Sequence, residues 1–581
     1  MCPRPKVQTE KKFTLKNYLR FSVRVHWVLV TVSRVEFNLA RVIEAVAEAH
    51  PERVALVHRG RQILFPDLVQ RYRQLGTALN AAGIGCHTER SELDGHESGQ
   101  DHVALYLNNE LEYLESMLGG WAARAATFNV NHRYIADELA YLLTDSAAKV
   151  VFVNSMYAPN LAEVLPQLPN IEIIVQVRDD SDNELLKGAT FYDDFIQDQL
   201  PRDLGDCSED DLYVLYTGGT TGMPKGVLWR NADFFVGAIG GSNRSEGREY
   251  ESYEEVAEAA KRGTLRWLTA APFMHGAAQW IALQALSMGH TVVLPDITDR
   301  YDAANVLEVC NRESVEFLQI VGDAFARPLL DASRTTQIVP KSLRSIISGG
   351  AVLNSELKEE LKGQFGGVTI RDSIGSSETG VQGSNVTTKE QLSSTGDFEP
   401  APGSTVVNSS LSATLDAGSE EIGWFAMSGR VPLGYLNDAE KTQKTFPVID
   451  GVRYSVPGDR ARLLADGRIE VLGRDSVTIN SGGEKIYAEE VENAVKTHGA
   501  VYDAVVCGRP SERWGSEVVA IVQLVEGVQA LESEIIEHCA SHISRYKRPK
   551  AIIKVAQIKR SPAGKPDYRW AQAVARESRK D

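Results

Sequence analysis

A glycine- and threonine-rich segment between two apolar runs places the strongest constraint on how this chain can fold. The segment is Tyr216-Thr-Gly-Gly-Thr-Thr-Gly-Met-Pro-Lys-Gly226, and the apolar runs occupy residues 212–216 and 227–229. A strand, a tight loop and a second strand are the predicted local structure. Glycines let backbone N–H groups approach an anion closely, while the threonine hydroxyls and Lys225 add further donors. The segment therefore predicts a phosphate-binding loop.

This phosphate loop differs from the Walker A pattern in its spacing. In that pattern a Gly-Lys pair is followed by Ser or Thr and then by a helix. Here Met223 and Pro224 precede Lys225, and Gly226 follows it. The spacing disfavours a nucleoside triphosphatase of the Walker A class.

Helix-like and strand-like segments alternate along most of the chain. Apolar residues recur at helical spacing in residues 39–49, and apolar runs at 103–107 and 148–153 are typical of buried strands. Such alternation predicts α/β layers with largely parallel sheets. The polar stretch 241–263 is expected to be an exposed insertion with a helix near residues 254–261. The chain has 581 residues, too many for one hydrophobic core, so at least two domains are expected.

Charge and cysteine content exclude several classes of protein. The 62 basic and 78 acidic residues give a net charge of −16, which argues against nucleic-acid binding. The six cysteines are widely spaced and form no Cys-x-x-Cys pair, which predicts a reducing compartment and neither disulfides nor a zinc site. No apolar run is long enough for an integral membrane segment. We expect a cytoplasmic protein, and leave peripheral membrane association and a homodimer open.

Residues 1–35 differ from the remainder in composition. They contain eight Lys or Arg residues and a single acidic residue, Glu10. Arg24 and His26 interrupt the apolar run that a signal peptide would require. We expect a disordered basic leader, with an organellar transit peptide as the alternative.

Further segments after the phosphate loop combine glycines with hydroxyl or charged residues. They are Ser348-Gly-Gly-Ala351, Ser373-Ile-Gly-Ser-Ser-Glu-Thr-Gly380, Tyr454-Ser-Val-Pro-Gly-Asp459, Gly473-Arg474 followed by Asn480-Ser-Gly-Gly-Glu-Lys-Ile486, and Ser561-Pro-Ala-Gly-Lys565. In this order, together with the phosphate loop, they resemble the motifs of the adenylate-forming superfamily. That superfamily includes acyl-CoA synthetases, amino-acid adenylation domains and luciferases. The resemblance covers residues 216–565.

The resemblance implies an α/β fold with a large N-terminal multi-sheet adenylation domain and a small, mobile C-terminal α+β lid domain. It divides the chain into the leader 1–35, the ATP- and acyl-binding body 36–472, the hinge 473–476 and the lid 477–581. In the lid, helical patterns at 491–495 and 535–543 alternate with strand-like runs at 501–506 and 518–524.

The same resemblance assigns residues to the nucleotide and to a metal. The implied ATP- or AMP-binding residues are Thr217, Gly218, Gly219, Thr220, Thr221, Gly222, Lys225, Gly350, Ser373, Ile374, Gly375, Ser377, Asp459 and Arg474. Glu378 and Thr217 are the implied Mg²⁺ ligands, since hard carboxylate and hydroxyl oxygens suit that ion. Ile374 stands where relatives place an aromatic residue against adenine, which implies a loss of stacking of about 1 kcal/mol.

Catalysis is implied for Lys565, Glu378 and His275. The family resemblance places Lys565 at the reacting carboxylate and phosphate during adenylation. The lid then swings about Ser476, where relatives carry Asp or Lys. This motion withdraws Lys565 and brings Gly482 and Gly483 beside the pantetheine arm of coenzyme A, because glycines leave room for close approach.

An acyl pocket is implied by residues around the start of an apolar helix. They are Phe273, His275, Gly276 and Gly349, with His275 next to the reacting carboxylate. The segments Val227-Leu-Trp229 and Lys565-Pro-Asp-Tyr-Arg-Trp570 are similar to actinobacterial acyl-CoA ligases of the steroid side-chain group.

The resulting hypothesis is an AMP- and pyrophosphate-forming acyl-CoA ligase. Its first substrate candidate is a bulky hydrophobic carboxylate such as a steroid side-chain acid, and its second is a medium- or long-chain fatty acid. Two other classes stay open. An amino-acid adenylation enzyme acting on a carrier protein would pair the substrate ammonium with an aspartate, for which Asp323 and Asp372 are the nearest candidates. A non-enzymatic nucleotide-binding protein would be expected to lack Glu378 or Lys565.

Overall fold

The computed structural model describes residues 35–217, 223–243, 246–388, 391, 393–481, 484–511, 515–562 and 564–578. Apart from Val35, the predicted leader lies outside these residues. Residues 36–581 form one compact unit. Across the described ranges, no helix combines the length and apolarity needed to cross a bilayer.

The two strands that flank the phosphate loop belong to an eight-stranded sheet. In spatial order its strands are β21 (Gly434–Tyr435), β9 (Lys225–Arg230), β8 (Leu212–Thr217), β4 (Ala126–Asn129), β3 (His102–Tyr106), β5 (Ala148–Asn154), β6 (Ile173–Val177) and β7 (Thr190–Phe191). From β8 to β7 neighbouring strands are parallel, whereas β9 returns antiparallel with Thr217 opposite Lys225. The predicted strand–loop–strand unit is confirmed for its strands.

A second sheet has fifteen strands and changes character along its width. Its strands run in the order β2 (Arg61–Leu64), β1 (Val54–His58), β13 (Thr291–Val293), β12 (Arg266–Thr269), β14 (Phe317–Ile320), β15 (Ser345–Gly349), β16 (Thr369–Ser376), β17 (Gly380–Thr387), β18 (Asp397–Pro400), β25 (Ile469–Arg474), β24 (Asp459–Leu463), β20 (Gly423–Ser428), β23 (Val452–Ser455) and β22 (Val448–Ile449), with β19 (Ser404–Val407) beside β20. Strands from β1 to β16 pair in parallel, and those from β16 onward pair antiparallel. Both sheets therefore mix parallel and antiparallel strands, whereas largely parallel sheets were predicted. The predicted alternation of strands and helices is found in the parallel part of each sheet.

Helices connect the parallel strands. Those of the body are α1 (Leu39–Ala49), α2 (Phe65–Ala81), α3 (Leu111–Ala122), α4 (Ala136–Asp145), α5 (Ala158–Val164), α6 (Tyr192–Ile196), α7 (Asn231–Gly237), α8 (Tyr253–Ala260), α9 (Gly276–Ser287), α10 (Ala303–Arg312), α11 (Gly322–Thr336), α12 (Ser355–Gln364) and α13 (Ala439–Thr445), and a short hairpin, β10 (Ser242–Asn243) and β11 (Arg248–Glu249), precedes α8. One continuous apolar cluster contains residues of both sheets and of α1, α2, α3 and α9. The two sheets of the body therefore share one core.

The lid builds its own small core. Its elements are β26 (Ile479–Ser481), β27 (Glu484–Ile486), α14 (Ala488–Lys496), β28 (Val501–Ser511), β29 (Gly515–Leu524), α15 (Glu532–His538), β30 (Ala551–Val555) and α16 (Tyr568–Glu577). Separate apolar clusters include alternate residues of β28, such as Val506 and Val505. The predicted lid strands and first helix are confirmed. The second helix is shorter than predicted, because a 3-10 turn at Cys539–Ser541 follows His538.

The insertion at 241–263 is less exposed than predicted. Its helix, α8, is confirmed, but Val256 and Ala260 are buried. The Tyr253 hydroxyl accepts a hydrogen bond from the backbone N–H of Asn38 at 2.9 Å, and its ring lies 5.0 Å from that of Phe37. Residues 253, 256 and 260 share one helical face, which packs on the start of the body.

The turn between β16 and β17 allows no side chain at Gly375. A Cβ atom there would lie 2.1 Å from the carbonyl oxygen of Gly380, and Gly380 itself has a φ of +72°. Within the turn, the Thr379 hydroxyl accepts a hydrogen bond from the backbone N–H of Ser376 at 3.0 Å. These constraints fix the backbone that presents Ser377 and Glu378.

A buried ion pair anchors α12 to β16. The Lys358 ammonium lies 3.0 Å from the Asp372 carboxylate, and neither side chain is more than 6 % exposed. Lys358 also donates to the Asn385 side chain and to the carbonyl of Ser394. Burial raises the pKa of Asp372 to about 6, although Lys358 acts in the opposite direction. The Asp372 carboxylate therefore has a structural role, because the buried Lys358 is its partner.

Replacing Lys358 with Met should destabilise the body in a pH-dependent way. Leaving Asp372 buried and unpaired should cost about 3–5 kcal/mol near pH 8. The folded state then binds the Asp372 proton more tightly than the unfolded chain, so stability falls as pH rises, and the penalty should be smaller near pH 5. Urea midpoints at both pH values measure it. Lys362→Met, which removes a pair with the exposed Glu359 on the same helix, is the control. Equal Lys358→Met penalties at both pH values would contradict the assignment.

Replacing Gly375 with Ala should lower both stability and activity. The forced separation from Gly380 should cost about 1–3 kcal/mol and displace Glu378. Gly363→Ala is the matched control, because a Cβ atom at Gly363 meets open space on α12. Thermal unfolding compares the two variants, and a Gly375→Ala protein as stable as Gly363→Ala would refute the steric argument.

Candidate active site

Glu378 is held at the β16–β17 turn by groups from other strands. The Tyr435 hydroxyl of β21 donates to its carboxylate at 2.7 Å. The Ser455 hydroxyl of β23 donates to its backbone carbonyl at 2.6 Å, and the Trp229 indole donates to the carbonyl of Ser377 at 2.8 Å. The carboxylate therefore projects from a rigid backbone at the junction of the two sheets.

Asp459 and Arg474 are paired at the start of β24 and the end of β25. They face each other in the strand register, and the guanidinium lies 3.3 Å from the carboxylate. The Asp459 charge raises the pKa of Arg474 above its usual value. Glu489 of α14 also approaches this pair, and burial raises its pKa to about 7. Asp459 can accept two ribose hydroxyls while Arg474 holds it in place.

Lys565 comes to the same cleft from the lid. The charges that act on its ammonium are Arg474, Glu378 and Asp459. The residue is exposed, yet loss of hydration around the ammonium lowers its pKa, as does Arg474, while the two carboxylates oppose that change. The predicted catalytic lysine therefore lies within electrostatic range of the predicted metal ligand, Glu378, and of the predicted ribose ligand, Asp459.

His275, predicted to line the acyl pocket, stands at the N-cap of α9. Burial lowers its pKa to about 3, with further contributions from Lys565 and His132. Its Nε2 atom has no hydrogen-bond partner among the described residues. His275 is consequently neutral at physiological pH, and its free ring nitrogen can meet a polar group of a substrate.

The other predicted acyl residues have different surroundings. Phe273 is fully buried with its ring 5.1 Å from that of Tyr113, so its side chain belongs to the core. A Cβ atom at Gly276 would lie 2.7 Å from the Leu215 side chain. Gly349 ends β15 opposite Ser373 of β16.

The phosphate loop is described only at its ends. Thr217 closes β8 and Lys225 opens β9. Burial alone would lower the pKa of Lys225, but Asp145 and Asp438 hold it above its usual value, with the Asp438 carboxylate at 3.6 Å. Gly218, Gly219, Thr220, Thr221 and Gly222 lie outside the described residues.

The remaining predicted positions lie beside β15, on β16 and at the junction of body and lid. Gly350 has a φ of +91°, which favours glycine directly after β15. Ile374 is half-buried and packs against a small cluster that includes Phe425. Ser476 lies in the 3-10 turn Asp475–Val477 between body and lid. Gly482 and Gly483, predicted to bind coenzyme A, lie outside the described residues.

Four site residues were not predicted from the sequence. Tyr435 bonds Glu378, and the Lys441 ammonium lies 3.9 Å from the Tyr435 ring centroid. Asp438 caps α13, a start signal that was available in the sequence, but its distance from Lys225 was not. His132, near His275, is buried with neither ring nitrogen bonded to a described residue, and burial lowers its pKa to about 4. Across the described ranges, no cluster of three His, Cys, Asp or Glu residues could hold a metal ion.

Comparison with known proteins identifies the family and the fold. The family model described as AMP-binding enzyme matches residues 43–408, and that of the AMP-binding enzyme C-terminal domain matches residues 490–565. The crystal structure of the anthranilate CoA ligase AuaEII with anthranoyl-AMP has a TM-score of 0.79 at 22 % identity, covering 94 % of this chain and 98 % of that one, which establishes the fold.

Two curated relatives are similar over almost their whole length. The medium-chain acyl-CoA ligase Mig of Mycobacterium avium is 48 % identical over 93 % of this chain and 98 % of its own. A medium/long-chain-fatty-acid–CoA/3-oxocholest-4-en-26-oate–CoA ligase of Mycolicibacterium smegmatis is 39 % identical over 93 % of this chain and 97 % of its own. The chain therefore belongs to the AMP-binding, adenylate-forming enzyme family, with the large N-terminal and small C-terminal domains of that fold.

Proposed function

We propose that this protein is an ATP-dependent acyl-CoA ligase acting on hydrophobic carboxylic acids. In the first half-reaction the carboxylate attacks the α-phosphate of ATP, which gives an acyl-adenylate and pyrophosphate. In the second, the thiol of coenzyme A displaces AMP and gives the thioester. The meeting of Lys565 with Glu378, Asp459 and Arg474 in one cleft is the observation that supports this proposal most directly.

Each charge in the cleft has a role in the first half-reaction. Negative charge develops on the α-phosphate and its leaving group, and preorganised cations stabilise it. Lys565 supplies such a cation from the lid, and Lys225 supplies another beside the phosphate loop. Asp459 would hold the ribose hydroxyls with Arg474 behind it.

Glu378 and Thr217 would hold Mg²⁺, and their oxygen atoms fit that ion. When bound, Mg²⁺ would offset the charge of the phosphates. The Tyr435 hydroxyl orients the Glu378 carboxylate for this task. The half-buried ammonium of Lys441, near Tyr435, adds positive charge at the same end of the cleft.

The second half-reaction requires the lid to move. Lys565 must leave the cleft so that Gly482 and Gly483 can approach with coenzyme A, and Ser476 is the proposed pivot. Charged residues such as Lys496 and Glu489 lie where the lid meets the body. A charged interface supports this motion, because water can solvate its groups after separation, whereas an apolar interface would expose apolar surface.

The substrate candidates are a steroid side-chain acid and a medium- or long-chain fatty acid. One relative is named for medium-chain acids, and the other is named for both kinds of acid. Both candidates join a hydrophobic acyl group to a carboxylate, and the unbonded ring nitrogen of His275 would meet the carboxylate.

Amino-acid adenylation receives no support from the two candidate aspartates. Asp372 is paired with the buried Lys358, and Asp323 is bonded to Asn354 and paired with Lys496. Neither carboxylate is available for a substrate ammonium. A protein that only binds nucleotides is disfavoured, since Glu378 and Lys565 are both present at one cleft.

A substrate panel tests the proposed activity. We expect AMP and acyl-CoA to form when the protein is supplied with Mg-ATP, coenzyme A and a hydrophobic acid. Decanoate, palmitate, a cholestenoate, benzoate and leucine compared at equal concentration would rank the candidates by kcat/KM. Turnover of leucine alone would overturn the proposal, and turnover of fatty acids without the cholestenoate would reverse the order of the substrate candidates.

Replacing Lys565 with Ala should separate the half-reactions. Adenylate formation should fall by about a hundredfold or more, because a positioned cation is lost from the transition state. Thioester formation from supplied acyl-adenylate should persist. Pyrophosphate exchange and thioester assays measure the two steps, with Lys559→Ala, an exposed lysine of the same segment, as the control. Equal losses in both assays would contradict the role of Lys565.

A further inference from the structure

Charges of alternating sign run from the body into the lid. The Asp323 carboxylate, in the first turn of α11, lies 3.4 Å from the Lys496 ammonium at the end of α14. Lys496 lies 3.7 Å from Asp503 on β28. These are the two contacts by which the series crosses from the body to the lid sheet.

The series continues to the catalytic loop. The Arg560 guanidinium donates two hydrogen bonds, both of 2.7 Å, to the two oxygens of Asp503. Arg560 also donates to the carbonyl oxygen of Gly564 at 2.8 Å. Gly564 immediately precedes Lys565, so a body carboxylate is linked through three lid side chains to the backbone that carries the catalytic ammonium.

The crossing contact is buried on both sides. The side chains of Asp323 and Lys496 are 7 % and 6 % exposed. Asp323 is held from the body, because the backbone N–H of Asn354 donates to it at 2.9 Å and the Asn354 side chain bonds it as well. Removing one member of such a pair leaves the other charge buried without compensation, which is costly.

The loop itself rests on the same helix. A Cβ atom at Gly564 would lie 3.1 Å from the Ala324 side chain, one residue beyond Asp323. The end of α11 that receives the Gly564 backbone is therefore the end that pairs with Lys496. Two contacts of the lid, one ionic and one steric, meet the body at one turn of helix.

We propose that Asp323 and Lys496 are positioning residues for adenylation, and that their ion pair latches the lid where Lys565 enters the cleft. Asp503 and Arg560 carry this constraint to the Gly564 backbone. The inference rests on the proposed two-step function. An ion pair suits a latch that must open, since both charges can be solvated after separation, whereas an apolar contact would expose apolar surface to water.

The test measures both half-reactions in Lys496→Met, which keeps the length of the side chain and removes its charge. The kcat for adenylate formation should fall about tenfold to a hundredfold, while KM for ATP stays within about threefold because Asp459 and Arg474 are unchanged. Thioester formation from supplied acyl-adenylate should be retained or faster. Lys496→Arg should restore adenylation.

Asp323→Asn tests the same contact from the body and retains an acceptor for Asn354. It should reproduce the selective loss, and the double variant Asp323→Asn with Lys496→Met should be no slower than either single variant, because both remove one interaction. Lys547→Met is the matched control, since it removes a 2.6 Å ion pair with Glu490 that joins two lid residues. It should leave the ratio of the half-reactions unchanged.

Several results would overturn the latch. They are equal losses in both half-reactions for Lys496→Met, no loss at all, or losses that multiply in the double variant. A wild-type protein that forms no adenylate would overturn the proposed function and the latch with it. A wild-type protein that is active, with Lys565→Ala separating its half-reactions while Lys496→Met does not, would overturn the latch alone.

Discussion

The close packing of Gly564 on the first turn of α11 decides whether the site exists as a unit. With a φ of +68° and a prospective Cβ atom 3.1 Å from the Ala324 side chain, this position favours glycine on both conformational and steric grounds. This contact determines how closely the loop that carries Lys565 approaches the body. Lys565 consequently reaches a cleft whose other charges are Glu378 and Asp459 of the body and Arg474 of the hinge.

The electrostatics of the cleft follow from that meeting. Closing the lid brings the Lys565 ammonium toward the Arg474 guanidinium, and this repulsion adds to the loss of hydration that lowers the pKa of Lys565. Glu378 and Asp459 offset part of the cost. A phosphate placed between the cations would offset more, so an anionic substrate and a closed lid favour each other.

Local regularities were predictable because they depend on neighbours in the sequence. The apolar spacing of residues 39–49 predicted α1, and the apolar runs beside the phosphate loop predicted β8 and β9. Two predictions were wrong: the second lid helix, α15, ends earlier than predicted, and α8 is more buried than predicted. A helix boundary depends on capping and packing, and the partner of α8 lies more than 200 residues away at Asn38.

The sequence by itself determined the family, the order of the motifs and the residue types at the cleft, because short motifs carry the chemistry of phosphate, ribose and metal binding. Only the tertiary structure decided which carboxylates are available to a substrate and which are paired within the protein. Asp323 and Asp372 read alike in the sequence as substrate ligands, yet Lys496 and Lys358 neutralise them. The fold likewise decided that Tyr435 and His132 lie at the site and that a series of charges leads from Asp323 to the loop of Lys565. Long-range pairing of polar groups depends on which surfaces the packed elements bring together, and no local pattern encodes it.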